Sequence, residues 1–229
     1  MKRAFPLLGG LTAVLLSYAL YEALIAAPTE QTMGNVQRIF YYHVPSAWTA
    51  FLLFLVNFAA SVAYLIRRSP KADAIGVVTA EVGVVFCTVV LVTGPLWARP
   101  VWGIWWTWDV RLTSTLVLWL IYVSYLMLRR FSSSGQTPVL AAALAVFGAL
   151  DVPLVYFSIW FFRTQHPAPV IGGGGSIDPR MLHVLLINWA AFLCFAFMVC
   201  WSRYRLERLQ REVEEMQALE SMIEPRSAR

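Results

Sequence analysis

Residues 97–111 read WARPVWGIWWTWDVR, and the rest of the chain takes its meaning from them. Five of the ten tryptophans fall here: Trp97, Trp102, Trp105, Trp106 and Trp108. The stretch lies between two long apolar runs and closes on an acid and a base, Asp109 and Arg111. Placed on a helix, Trp102, Trp105, Trp106 and Asp109 share one face, because positions i, i+3, i+4 and i+7 line up. Indole is large, flat and rigid, with one N–H to satisfy. Tryptophan is enriched at membrane edges in any case, and one or two would serve that purpose. The run from Trp102 to Trp108 exceeds it and predicts a short amphipathic segment that lies against a broad, flat, apolar ligand.

The flanking runs decide the fold class. The chain is 59% hydrophobic and 14% charged, with a mean hydropathy of +0.63, far from a soluble average. Six apolar runs of spanning length fall at about 5–26, 46–66, 75–97, 112–129, 138–161 and 181–202. The expectation is an all-α, polytopic membrane protein: a bundle of six transmembrane helices with the Trp-rich amphipathic segment on its outer face. The first run is long and lacks a small-residue cleavage site, so it reads as an anchor. The net charge of +5 is not a nucleic-acid footprint, because the bases flank apolar runs and form no soluble patch.

Those bases set the orientation. Lys2, Arg3, Arg67, Arg68, Lys71, Arg129, Arg130, Arg203, Arg205, Arg208 and Arg211 fall on one side. Arg38, Arg99, Arg111, Arg163 and Arg180 fall on the other. The positive-inside rule then puts both termini in the cytoplasm and the tryptophan segment outside. Two further outer connections follow. Residues 27–45 deliver His43 just ahead of Pro45, and residues 162–180 contain His166 and four glycines, Gly172 to Gly175, that predict mobility. Ser176 or Asp178 before Pro179 reads as the start of the sixth span. Residues 1–202 form the membrane domain. Residues 203–229 form a charged, helical cytoplasmic tail, with Leu206, Leu209, Val213, Met216 and Leu219 in a narrow apolar stripe that fits either a partner or solvent.

All three histidines, His43, His166 and His183, fall at the outer side of this topology. Imidazole is the commonest side-chain ligand for metals and binds haem iron. A lone histidine near a membrane surface is usually only hydrogen-bonded; three on one face favour the ligand reading. His43 follows Phe40-Tyr41-Tyr42 and His166 follows Trp160-Phe161-Phe162, so aromatic neighbours rank both above His183. Zinc is a weaker reading, since Cys87, Cys194 and Cys200 lie inside spans with no CxxC pair. No G-x-S-x-G, P-loop or H-E-x-x-H motif supports an enzyme. Asp151, before Pro153 in the fifth span, is an intramembrane acid and so either a functional group or a partnered one at a broken helix.

The segment W-G-I-W-W-T-W-D (102–109), with YYHVPSAW around His43 and SIDPR before the sixth span, resembles the haem exporter protein C family of cytochrome c maturation, which carries the "WWD" signature. The resemblance runs to about Arg203. It implies a non-enzymatic carrier of haem b (iron protoporphyrin IX), bound transiently at the periplasmic face of a bacterial inner membrane. It implies two axial histidines, matched by His43 and by His166 in the loop after the fifth span. Trp102, Trp105, Trp106, Trp108 and Asp109 would lie against the porphyrin, and Arg99, Arg111 and Arg163 are placed to meet propionates. The implied partners are a periplasmic haem chaperone, the ATPase and membrane subunits of an ABC transporter, and a small single-span subunit. The chain departs from the family in the proline-rich surroundings of His166 and in Asp151, where an amide is expected. Two other classes stay open: a haem- or quinone-linked membrane redox protein, and a small-solute transporter.

Overall fold

The structure, a computed structural model, describes residues 4–132, 134–166 and 177–223. The expected glycine run Gly172–Gly175 and the alternative helix start at Ser176 lie outside the described residues, as do Lys2 and Arg3. Helix α1 spans Ala4–Tyr21 and continues as a π-helical turn, Glu22–Ala26. A 3-10 turn, Asn35–Ile39, leads into α2, Phe40–Arg67. Then follow α3 (Pro70–Trp102), α4 (Val110–Phe131), α5 (Thr137–Ala149), α6 (Asp151–Phe161) and α7 (Pro179–Ile223). Six segments are long and apolar enough to cross a membrane, with α5 and α6 together making the fifth. The all-α, multi-pass reading therefore holds.

Helix ends are written in the sequence. Ser69 caps α3 by accepting from the Ala72 N–H, and Pro70 occupies the first turn, where its missing N–H costs nothing. Arg38 reaches back from the 3-10 turn to donate to the carbonyls of Ala23 (2.8 Å) and Ala27 (3.1 Å), which the π turn leaves over. Asp178 starts α7: its carboxylate accepts from the Arg180 N–H and its carbonyl from the Leu182 N–H. The fifth span is broken at Leu150, because Pro153 cannot donate to the preceding turn. Helix α7 runs unbroken across position 203, where the charged tail was expected to begin.

Packing places α2 at the centre, against α3, α5 and α7, with α1 held on α7 and α6 on α4. Phe54 and Tyr122 stack 3.9 Å apart, and Gly83 is required beside them, since a Cβ there would meet Phe54 at 2.7 Å. At the end away from the tryptophan segment, buried Asp73 binds Arg129 of α4 (2.7 Å) and Arg211 of α7 (2.8 Å). Higher on α3, Glu81 pairs with Arg203 at 2.8 Å. Asp73→Ala strands Arg129 and leaves Arg211 only its ion pair with Glu207. It is expected to cost about 3–5 kcal/mol, the range for breaking a buried ion pair, read as an earlier midpoint in denaturing-detergent titration.

Candidate ligand-binding site

The tryptophan segment is not the amphipathic helix its spacing suggested. Helix α3 stops at Trp102 because Gly103 adopts a left-handed φ of 77°, and its N–H closes the helix on the Arg99 carbonyl. Helix α4 begins only at Val110, capped by Asp109, whose Oδ1 accepts from the Leu112 N–H at 2.9 Å. Residues 103–109 between these stops are irregular, so their indoles are aimed one by one instead of along a helical stripe.

Beneath this loop lies a cavity of about 1080 Å³, at the large end of the roughly 300–1,000 Å³ typical of small-molecule sites. His43, His166, Trp102, Trp105, Trp106 and Arg111 all line it. Three elements bring the histidines and indoles together, and the first turn of α4 adds Arg111. The start of α2 supplies His43, the end of α3 and the following loop supply the indoles, and the connection after α6 supplies His166. The ring centroids of His43 and His166 are 6.3 Å apart, with planes inclined by 34°. Two metal–imidazole bonds of about 2.0–2.1 Å, plus half a ring on either side, make a separation of roughly 6 Å. One metal ion between the two rings therefore fits this spacing.

His43 is buried and tightly seated. Its Nδ1 lies 2.9 Å from Thr93 Oγ1 on α3, and its ring meets Trp97 edge-on at 5.9 Å. Trp97 in turn packs edge-on against Phe40. Arg111 donates to the carbonyls of Val155 (3.3 Å) and Tyr156 (3.4 Å) and, among the described residues, has no carboxylate in ion-pair reach. The indole N–H of Trp106 is buried and, among the described residues, lacks an acceptor. A cavity with two neighbouring imidazoles, indole walls and a guanidinium suits a flat anionic metallo-macrocycle.

Among the described residues lining the cavity, Trp108, Asp109 and Arg99 are missing. Trp108 is 76% exposed and touches Trp106 edge-on at 5.8 Å. Arg99 turns back to donate to the Gly103 carbonyl, closing the end of α3. Asp109 is a pin. Its Oδ2 accepts from the hydroxyls of Thr107 (3.1 Å) and Thr164 (2.9 Å) and from the Gln165 N–H (3.3 Å), tying the tryptophan loop to the connection that carries His166. Burial alone would raise this carboxyl, but these donors, with the Leu112 N–H, hold it below the ordinary carboxylate value. Arg163 is likewise absent from the lining, and His183 lines a separate, smaller groove beside Glu22 and Arg180.

Sequence reasoning missed Thr93, the pinning role of Asp109 and the roof of residues 28–33, which folds over the cavity around the Glu30 carboxylate. Thr93 lies one turn before Trp97 on the same face of α3, a helical register that was open to view.

Known proteins place this architecture. Residues 1–219 match the family model described as heme exporter protein C. The chain is 35% identical to the heme exporter protein C of Bradyrhizobium diazoefficiens, over 96% of its own length and 84% of that protein's. The same-named protein of Haemophilus influenzae is 33% identical, over 91% and 86% of the two chains. A putative cytochrome c biosynthesis ccmC-like mitochondrial protein of Arabidopsis thaliana is 33% identical, over 93% and 83%. A match of this extent, on a six-span helical bundle, makes the chain a member of the heme exporter protein C family.

Proposed function

We propose that this chain carries haem b at the outer face of a bacterial inner membrane and passes it on for cytochrome c maturation. His43 and His166 are the axial ligands. Trp102, Trp105 and Trp106 flank the ring, and Arg111 meets the propionates. The observation that carries this reading is the 6.3 Å spacing of two imidazoles inside one indole-lined cavity. Relatives named for heme export and cytochrome c biosynthesis support the same cargo.

The site is built to hold and release. Burying apolar ring surface is favourable by about 25 cal/mol per Å², and two neutral imidazoles saturate the iron. His43 is fixed in a helix, whereas His166 is carried by the connection after α6, which Asp109 ties to the tryptophan loop. The exposed Trp105 and Trp108 present an apolar edge to an incoming periplasmic haem chaperone. The excess of bases at the opposite end supports cytoplasmic termini and an outward tryptophan loop. The ATPase and membrane subunits of an ABC-type complex and a small single-span subunit complete the assembly. The tail from residue 203 is a cytoplasmic extension, and the chain performs no covalent chemistry of its own.

Purified protein, with haem retained or hemin added, is expected to give a low-spin, six-coordinate spectrum. The pyridine assay should identify extractable haem b at one per chain. A high-spin spectrum, or no saturable uptake, overturns the reading.

A further inference from the structure

The contact between α2 and α3 at the site carries a second conclusion. Thr93 Oγ1 lies 2.6 Å from the carbonyl of Val89, one turn back in its own helix, and 2.9 Å from His43 Nδ1. A hydroxyl has one proton and can donate it only once. The Val89 carbonyl only accepts and is the nearer partner at 2.6 Å, which favours it for that proton; toward His43 the threonine oxygen is then an acceptor. His43 Nδ1 must then carry the hydrogen. In the neutral ring this leaves the lone pair on Nε2. The ring is held from another side as well, by the edge of Trp97.

We propose that Thr93 is a positioning residue: it accepts the Nδ1–H of His43, fixes the ring's tautomer and rotation, and so leaves Nε2 as the atom offered to the ligand in the cavity. That Nε2 binds haem iron rests on the proposed function; the tautomer does not. A metal-bound histidine whose other nitrogen donates to an oxygen is a better electron donor, and removing such a partner commonly costs about 10–100-fold in metal affinity. Thr93 supplies that partner here.

The test uses full-length, haem-free protein labelled with 15N-histidine. Three histidines give few signals, and His43→Gln and His166→Gln spectra assign them. The wild-type His43 ring is expected as one neutral tautomer, protonated at Nδ1. Thr93→Val keeps the shape and removes the acceptor, so His43 should become a mixture of tautomers; Thr93→Ser should restore the single form. With hemin added, Thr93→Val should lose haem about 10–100-fold more readily and show a higher reduction potential, again reversed in Thr93→Ser. A wild-type ring protonated at Nε2, or one unmoved by Thr93→Val, overturns the inference, and the wild-type spectrum decides even if the valine variant does not fold. If hemin fails to bind while the tautomer is as stated, the haem reading falls and the seat of His43 stands.

Discussion

His43→Gly is expected to weaken haem retention by more than 100-fold, and His166→Ala to do nearly the same, while His183→Ala changes it by less than about twofold. Losing an outer partner of a ligand already costs about 10–100-fold, so losing the ligand itself costs more. The two sites should fail differently. His43 is buried between Thr93 and Trp97, so glycine there leaves a space the size of the lost ring. Added imidazole should enter it and restore the six-coordinate spectrum. His166 sits on a connection, and its loss should leave five-coordinate, high-spin iron on His43. His183 lines a different groove and serves as the control. The readouts are the visible spectrum and the rate of haem transfer to excess apomyoglobin. Equal losses at all three histidines, or none at any, would refute the ligand assignment.

The parts of this molecule that were legible in sequence are those carried by local composition. A run of about twenty apolar residues declares a span wherever it occurs, and all six were found. Proline signals were nearly as plain. Pro153 marks the break in the fifth span, and Pro179 marks the start of α7. The tryptophan segment shows the limit of periodicity. Trp102, Trp105 and Trp106 fit a helical face in register, yet Gly103 and Asp109 stop the helices on either side. Both punctuation signs were printed in the sequence, and both outrank spacing, because a left-handed glycine and a side-chain cap settle where a backbone's hydrogen bonds end. The meeting of His43 with His166 was not derivable from spacing, since it depends on how α2, α3 and the connection after α6 converge. The resemblance paired them; only three-dimensional packing put a distance on the pair.

Asp109 makes the sharpest test of how that convergence is held. Its two oxygens have separate tasks. Oδ1 caps α4 through the Leu112 N–H, and Oδ2 gathers Thr107, Thr164 and the Gln165 N–H. Asp109→Asn keeps the capping oxygen and puts an amide nitrogen, a donor, where three donors converge. It is expected to leave the protein folded, to expose the Gln165 amide to fast hydrogen exchange, and to weaken haem retention by less than the roughly 10–100-fold of a ligand's own partner, since it acts on His166 through Thr164 and the Gln165 N–H. Asp109→Ala loses the cap as well, costing a further 0.5–2 kcal/mol or so of stability. The spectrum of either variant should move toward that of His166→Ala, although Asp109 does not line the cavity. Acid should act on the same pin. A carboxyl whose folded pKa is depressed contributes its full stabilisation above the ordinary value of about 3.9 and loses it as pH falls through the depressed one. Wild-type Gln165 should therefore stay protected from pH 7 down to about 4 and open below it, whereas the asparagine variant should be open throughout and show no such step. An asparagine variant that keeps Gln165 protected and retains haem like the wild type would mean that the tryptophan loop and the His166 connection are held together by something other than this carboxylate.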